Sequence, residues 1–492
     1  MAGIDWLSHM LTLVFVVNIL LALTVVFLEK RNVAATWSWL MVLLFIPILG
    51  FVLYVMLGQN LSRRKLYKWN KRMLERVQSI TAEQRQQLMD GTFPYQDPMV
   101  SDYRYLIYLN VATNDALLTQ DNEVTIFTDG VEKFNDLIGK IEAAKHHIHM
   151  QYYIVKNDSL GKRIMEVLTR KAAEGVVVRF LYDDIGSRTL KDSFFREFVK
   201  AGGQKAAFFP SRIPFLNYRV NYRNHRKLVV IDGELGYLGG FNIGNEYLGL
   251  NPKLGYWRDT HLRLSGTVVR ALQSRFILDW NLASMTAIEL EKERHLHYFP
   301  TLSESAAGST RVPMQIVASG PNESWPHFVY TFLKLIHLAE RRILLQTPYF
   351  IPEESMLNAL RIAALSGIDV RIMIPEKADH LFVHWASLYY VGELLRAGVK
   401  CYLYDFGFLH AKTIIVDGQV ASVGTANLDI RSLRLNFETN ALIFHEETAK
   451  KLENTFWADM EGCMELTLEE YEKRSLRVRF LESISKLVSP IL

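Results

Sequence analysis

The chain has 492 residues, too many for one ordinary hydrophobic core, so two or more domains are expected. Its 49% hydrophobic content and mean hydropathy of +0.05 are high for a soluble protein and point to a segment outside water, while a formal charge of +4 and a pI near 8.7 are only mildly basic and favour neither nucleic acid nor membrane. The two cysteines, Cys401 and Cys463, lack C-x-x-C spacing, which argues against a disulfide framework or a zinc knuckle and suits a reducing compartment.

No formal charge lies between Asp5 and Glu29, and the run Trp6–Leu28 is long enough, as a helix, to cross a hydrocarbon layer of roughly 30 Å. A second apolar run, "WSWLMVLLFIPILGFVLYVMLG", extends from Trp37 to Gly58, and its leading tryptophans suit a membrane interface. A cleaved signal peptide fits the first run poorly, because neither a basic n-region nor a small-x-small cleavage site is present. A short connection carrying Lys30 and Arg31 predicts a tight hairpin over residues 1–60. Downstream come Arg63, Arg64, Lys65, Lys68, Lys71, Arg72 and Arg76, opposed by Glu75 alone. This asymmetry places both ends of the hairpin, and everything downstream, on the cytoplasmic side of the membrane. Leu66, Trp69, Met73, Val77 and Ile80 recur at helical spacing in that segment, which suits either an amphipathic helix on an anionic lipid surface or a solvated linker helix.

A polar stretch with Pro and Gly punctuation closes the region 61–102. Beyond it an internal repeat is visible. "EAAKHHIHMQYYI", a helix into "VVVRFLYDD", a helix ending at "KAGG" and then "HRKLVVIDG" are matched in order by "LAERRILLQTPYFI", "IDVRIMIPE", "LRAG" and "HAKTIIVDG". Strands alternating with helices predict two α/β lobes, 103–299 and 312–463, joined by a small-residue linker at 300–311 and followed by a tail, 464–492. His146, His147 and His149 invite a metal reading, but Arg341, Arg342 and Leu344 occupy the matching positions, so an alternating strand edge is the better account.

Each copy of the repeat ends on the same grammar. His225 and Lys227 stand two apart at a strand's entry and share a face, and Asp232-Gly233 signals a hairpin; His410, Lys412 and Asp417-Gly418 repeat this. Each Asp is thereby accounted for as a turn residue. His and Lys on one face, twice, point to phosphodiester chemistry. A phosphodiester anion repels nucleophiles, so attack on it needs fixed positive charge and neutral donors, which Lys227, Lys412 and the amides of Asn242 and Asn427 can supply. One imidazole can form a covalent phosphohistidine while a second donates a proton to the departing alkoxide. One site between the lobes would use both copies.

These residues resemble the phospholipase D superfamily pattern, H-x-K-x-x-x-x-D followed by Gly, a small residue, any residue and Asn. His225, Lys227, Asp232, Gly239, Gly240 and Asn242 match it, as do His410, Lys412, Asp417, Gly424, Thr425 and Asn427. The resemblance implies that both Asp residues belong to the catalytic set and that Thr425 supplies a hydroxyl to phosphate, which Gly240 cannot. It also implies that Glu438 orients a histidine, with Glu246 as the corresponding acid of the first lobe. By the family's usual order His225 is the nucleophile and His410 the general acid, although the sequence does not distinguish them.

The segments "NYRNHRKLVVIDG", "GGFNIGNEYLG", "WRDTHLRLSG" and "GTANLDIRSLRLNFE", with the second apolar run, are similar to the cardiolipin synthases of Gram-positive bacteria. That likeness implies phosphatidyl transfer between two phosphatidylglycerols, giving cardiolipin and glycerol without metal or cofactor, with membrane lipids as partners and no nucleic acid. The hairpin, the basic helix, the loop "FFPSRIPFLNYRVNYR" and the tail "RFLESISKLVSPIL" would hold the site against the bilayer. A hydrolase, a transferase using another alcohol, a synthase taking a CDP-lipid donor, a nuclease and an inactive membrane scaffold are the competing expectations. The intact motifs weaken the last of these.

Overall fold

The computed structural model describes residues 2–27, 33–46, 48–50, 54, 71–210, 221–288, 297–300, 311–377 and 379–488. The chain divides into two compact units, Met1–Arg64 with Phe209–Tyr222, and Lys65–Phe208 with Arg223–Leu492.

In the smaller unit, helices span Ala2–Phe27 and Val33–Phe45, the second starting four residues before the Trp37 expected from the sequence. They pack on each other; the Asn18 side-chain amide donates to the Leu43 carbonyl (3.1 Å), and Trp39 meets Tyr54 edge to face at 5.4 Å. Among the described residues no helix is long and apolar enough to cross a membrane. The end of the second apolar run, the basic stretch up to Asn70, most of the aromatic loop and the interlobe linker fall outside the described residues.

The larger unit opens with the helix Lys71–Asp90 and then carries two lobes built alike. The first contains β1 (Thr119–Phe127), β2 (His147–Tyr152), β3 (Val177–Asp183), β4 (Gln204–Phe208), β5 (Leu228–Ile231), β6 (Leu235–Gly239), β7 (Tyr256–Arg258) and β8 (His261–Ser265). The second contains β9 (Val312–Ser319), β10 (Arg342–Gln346), β11 (Phe350–Ile351), β12 (Asp369–Pro375), β13 (Lys400–Tyr404), β14 (Gly407–Leu409), β15 (Thr413–Val416), β16 (Val420–Gly424), β17 (Leu428–Asp429), β18 (Glu438–Phe444) and β19 (Cys463–Leu466).

One 15-stranded sheet runs β19-β13-β12-β10-β15-β16-β18-β9-β1-β8-β6-β5-β2-β3-β4. Its centre is the antiparallel pair β9 and β1, and moving outward on either side the same sequence of strand types recurs. β5, β6, β15 and β16 are apolar and fully or nearly fully buried because helices cover both faces of such a mixed sheet. Among the described residues, one apolar cluster lies around Phe134, Phe180 and Tyr237 in the first lobe and another around Phe332, Leu360 and Leu442 in the second.

The repeated Asp-Gly pairs make the tight turns their sequence demands, with φ of 55° at Asp232, 71° at Gly233, 54° at Asp417 and 67° at Gly418. Cys401 and Cys463 are free thiols on the adjacent strands β13 and β19. The histidines of β2 are held by side chains: Gln273 bonds both His147 Nε2 (3.0 Å) and His149 Nδ1 (2.8 Å), and Arg179 stands 3.1 Å from His149 Nε2. Helix Leu476–Val488 packs on helix Leu381–Leu395, with Lys486 donating to the Tyr389 hydroxyl at 2.7 Å.

Candidate active site

His225 and His410 enter their strands from opposite lobes and both line one cavity of about 460 Å³. The seam between the lobes brings them there. The His225 amide donates to the Phe437 carbonyl (3.0 Å), and the Phe437 amide to the Arg223 carbonyl (2.8 Å). On the other side β14 runs parallel to β7, and the His410 amide donates to the Arg258 carbonyl (2.7 Å). Each histidine is therefore laid against the residue that precedes an acid of the opposite lobe.

The acids meet the rings crosswise. His225 Nδ1 lies 2.9 Å from Glu438 Oε1, and His410 Nδ1 lies 2.6 Å from Asp259 Oδ2. Each carboxylate accepts from Nδ1–H, which fixes the tautomer and leaves Nε2 as the free lone pair. Burial pushes His225 down to about 4 and His410 down to about 3, so both rings are neutral near pH 7. Burial also pushes the two acids up, but His225 and Lys227 outweigh it at Glu438, and Lys412 and His410 at Asp259, and both stay below the ordinary carboxylate range. Tyr153 packs edge-on against the His225 ring at 4.7 Å, and Trp257 tilts against His410 at 5.0 Å.

The lysines sit behind the rings. Lys227 is fully buried and donates to the His225 carbonyl (2.6 Å); Lys412 donates to the His410 carbonyl and stands 2.7 Å from its Nδ1. Burial lowers both, Lys412 to about 8. Among the described residues no group of three or more His, Cys, Asp or Glu is placed to hold a metal ion.

Comparison with known proteins decides the family. A model described as "Cardiolipin synthase, PLD-like domain" matches residues 137–280 and 332–460, and one described as "Phospholipase_D-nuclease N-terminal" matches 16–59. The chain is 52% identical over 485 residues to the major cardiolipin synthase ClsA of Bacillus subtilis (strain 168), covering 99% of each. It is also 52% identical over 486 residues to a cardiolipin synthase of Listeria monocytogenes serotype 4b (strain F2365), again covering 99% of each. The chain belongs to the cardiolipin synthase family. A phosphatidylserine synthase structure from Haemophilus influenzae Rd KW20 shares the fold, with TM-score 0.58 at 16% identity over 80% of this chain and 100% of that one.

Within this cardiolipin synthase fold the other motif residues take up different places. Asn242 lines the cavity, its Oδ1 accepting from the Ile154 amide and its Nδ2 donating to the Tyr247 hydroxyl, both at 3.1 Å. Asn427 lines it too, and its buried Oδ1 has no hydrogen-bond partner among the described residues.

Asp232 and Asp417 are not at the cavity. A whole strand separates each from its histidine, about 16 Å from the lysine at roughly 3.3 Å per residue. Asp232 instead accepts from the amides of Lys145, His146 and His147 (2.8, 2.7 and 2.9 Å), and Asp417 from those of Glu340, Arg341 and Arg342 (2.8, 2.8 and 2.7 Å). They tie the hairpin turn to the start of the neighbouring strand, a structural task that corrects their expected place in the catalytic set.

Thr425 is fully buried, its hydroxyl donating to the Thr439 carbonyl (3.3 Å) and accepting from the Thr439 amide (2.9 Å), so it does not face the cavity as expected. Glu246 lines the cavity but pairs with Lys156 and bonds neither histidine. The acid that partners His410 is Asp259, which the motif comparison passed over. Sheet register exposes the match: Gly239 faces His261 as Gly424 faces Asn440, so Asp259-Thr260-His261 is the counterpart of Glu438-Thr439-Asn440. Gly240 follows from the same arrangement, because a Cβ there would lie 2.0 Å from Asp259 Oδ1.

Two buried arginines brace the seam. Arg226, between His225 and Lys227, pairs with Asp279 (2.6 Å) and also donates to Thr439 Oγ1 (2.9 Å) and the Ser319 carbonyl (2.9 Å). Arg258, preceding Asp259, pairs with Asp459 of the second lobe at 2.8 Å. Gln151 completes the first pair and Gln346 the second, at 2.8 and 2.7 Å from the respective Asp.

Proposed function

We infer that this enzyme transfers a phosphatidyl group from one phosphatidylglycerol to another through a phosphohistidine, giving cardiolipin and glycerol. The observation that carries this reading is the pair of neutral, carboxylate-held histidines from opposite lobes on one cavity. In the first half, His225 Nε2 attacks phosphorus, the bond to the glycerol oxygen breaks, and His410 gives that oxygen a proton. A bound phosphodiester anion between the rings favours the protonated form of His410 that this step requires. In the second half, His410 takes the proton from the glycerol hydroxyl of the second lipid, whose oxygen displaces His225 from phosphorus. One phosphodiester replaces another, so no nucleotide is consumed. Lys227, Lys412, Asn242 and Asn427 surround the site with positive charge and amide dipoles for the phosphoryl oxygens.

The membrane hairpin belongs to the same proposal. Residues 16–59 match the model described as "Phospholipase_D-nuclease N-terminal", and the uncharged run Trp6–Leu28 has the sequence length that a span of roughly 30 Å needs. The catalytic lobes then face the cytoplasm, as the Lys and Arg excess after the hairpin implies. Apolar side chains support docking of the lobes on lipid: Leu381 and Phe382 are exposed beside the cavity-lining His380 and Val383, and Leu476, Phe480 and Leu487 are exposed on the C-terminal helix.

The test is purified full-length protein with radiolabelled phosphatidylglycerol in mixed micelles, without nucleotide or added metal, beside H225A. Cardiolipin with released glycerol, lost in the variant, is the expected result. Phosphatidate as the main product would make the enzyme a hydrolase, and turnover only with a CDP-lipid donor would replace the substrate assignment.

A further inference from the structure

The indole N–H of a buried tryptophan can only donate, and inside a protein it ordinarily finds an oxygen to receive it. Trp280 donates to the Thr286 carbonyl (3.0 Å) and Trp457 to Glu453 Oε1 (3.3 Å). Trp257 is different. It is 6% exposed and lines the same cavity as the two histidines, yet its Nε1 has no hydrogen-bond partner among the described residues.

The ring is firmly held. Trp257 on β7 pairs with Phe408 on β14, two residues before His410, and its indole packs against Tyr247 (4.7 Å), Phe408 (4.9 Å) and His410 (5.0 Å). A donor fixed in this way loses little further freedom when a ligand accepts from it. The equivalent place in the second lobe is used otherwise. Trp257 stands two residues before Asp259 as Asn436 stands two before Glu438, and both line the cavity, but Asn436 spends its Nδ2 on Glu438 Oε1 at 3.2 Å. The first lobe, with no such bond from Trp257 to Asp259, keeps its donor for what enters the cavity.

On this side the alcohol enters. That step of the argument rests on the phosphatidylglycerol reading, in which His410 exchanges a proton with the reacting glycerol oxygen, so a ring packed on His410 stands beside the glycerol. The phosphoryl oxygens have Lys227, Lys412 and the asparagine amides, whereas the glycerol hydroxyls need a donor of their own. A neutral N–H suits a neutral hydroxyl, because a cation in its place would push His410 still further from the protonated form that the reaction uses.

We propose that Trp257 determines which alcohol the enzyme handles: its Nε1–H donates to the glycerol hydroxyl adjacent to the reacting oxygen, on the alcohol that leaves and again on the one that attacks. An alcohol without that hydroxyl leaves the buried N–H unpaired and is a poor substrate for that reason.

The experiment uses the full-length enzyme in mixed micelles, with a fixed excess of unlabelled phosphatidylglycerol as acceptor, and follows release of radiolabelled alcohol from trace donors. The donors are phosphatidylglycerol, phosphatidylpropanol, which has no free hydroxyl, and the phosphatidyl esters of 1,2-propanediol and 1,3-propanediol, whose free hydroxyl is respectively adjacent to and remote from the reacting oxygen. Wild type should release glycerol and 1,2-propanediol at least about tenfold faster than propanol and 1,3-propanediol. W257F, which keeps an aromatic ring on His410 but removes the N–H, should bring all four within about threefold of one another. The wild-type series tests the proposal even where W257F does not fold. Wild type treating the four donors alike would overturn it, and so would W257F lowering all four in parallel, since the N–H would then serve the phosphate common to them or the ring would only support His410. Failure of the transferase reading itself would show separately, as wild-type enzyme that makes no cardiolipin from phosphatidylglycerol.

Discussion

The two lobes share a strand order, a hairpin, a histidine and a lysine, yet they surround the histidines differently. Glu438 is a long acid steadied by the Asn436 amide at 3.2 Å, beside a Thr425 hydroxyl that is bonded to the Thr439 backbone. Asp259 is a short acid bonded to the Thr260 amide at 2.7 Å, with Gly240 where the other lobe has its hydroxyl. After burial, the largest influence on His225 is the upward pull of Glu438, whereas on His410 it is the downward push of Lys412. A more basic imidazole is the better nucleophile and a more acidic imidazolium the better proton donor. Duplication thus supplied the scaffold, and unequal neighbours support giving the two rings different work.

The largest test of this asymmetry removes the rings one at a time. H225A and H410A should each lower cardiolipin formation by at least about 10³-fold, since each loses a group used in both halves of the reaction. A soluble p-nitrophenyl phosphodiester separates them, because its leaving group needs no proton. On that substrate H410A should still release p-nitrophenol and trap a phosphohistidine, and H225A should do neither. The opposite pattern would exchange the two roles.

Next come the acids. E438Q and D259N keep shape but lose the charge that holds the Nδ1 tautomer, and each should cost about 10²-fold in turnover. The crossing predicts which step suffers: E438Q should slow p-nitrophenol release, as H225A does, and D259N should slow chiefly the natural substrate. If D259N slowed p-nitrophenol release as much as E438Q, the crosswise pairing would not govern the two steps.

The seam gives a comparison in stability. The side chains of Arg226 and Asp279 are 1% and 0% exposed, against 3% and 12% for Arg258 and Asp459. Breaking a buried pair strands a charge at a cost of about 3–5 kcal/mol. Asp279→Asn should accordingly lower the thermal unfolding midpoint of the detergent-solubilised chain more than Asp459→Asn. Equal shifts would show that both pairs are equally dry in solution.

A pH series sharpens the contrast at β2, where His147 of the first lobe matches Arg342 of the second. His147 is buried and pushed down to about 4 by burial, chiefly, so between about 4 and its unfolded value near 6.5 the unfolded chain binds the extra proton. Stability therefore falls as pH drops through that window, by up to about 3 kcal/mol for this one group at 1.36 kcal/mol per pKa unit. His225 and His410 add losses of the same sign. H147Q should flatten the acid limb of the midpoint-versus-pH curve while leaving the limb above pH 7 parallel to wild type. An unchanged acid slope would mean that the ring is hydrated.

Much of this was open to reading in the sequence. The hydrophobic period and the Asp-Gly turns pointed to two α/β lobes, and the doubled His-x-Lys pointed to one site, because strand alternation and turn chemistry are local properties. What escaped were partners set by the seam. Nothing local to Asp259 announces that it will meet a histidine 151 residues away, whereas Glu246 stands just after its own motif and invites the reading as the first lobe's acid. Only the pairing of β6 with β8 and of β16 with β18 shows that D-T-H and E-T-N are one repeat. Asp232 and Asp417 are the opposite case: the Asp-Gly turn accounts for both locally, and their bonds to the amides that open the neighbouring strand agree with that reading and not with the catalytic place that the family pattern implies.

The smallest expected effect is also the sharpest check on that correction. Glu246 faces the cavity but spends its carboxylate on Lys156, whose side chain is 43% exposed. Screening by solvent limits such a pair to about 1 kcal/mol or less. Since no histidine depends on Glu246, E246Q should shift the unfolding midpoint slightly and change cardiolipin formation by less than about threefold, against about 10²-fold for D259N. The two variants need measuring side by side on the same lipid. A loss in E246Q comparable to that in D259N would mean that the carboxylate swings onto a histidine when substrate fills the cavity, and the symmetry of the two lobes would then extend to a second acid now paired with Lys156.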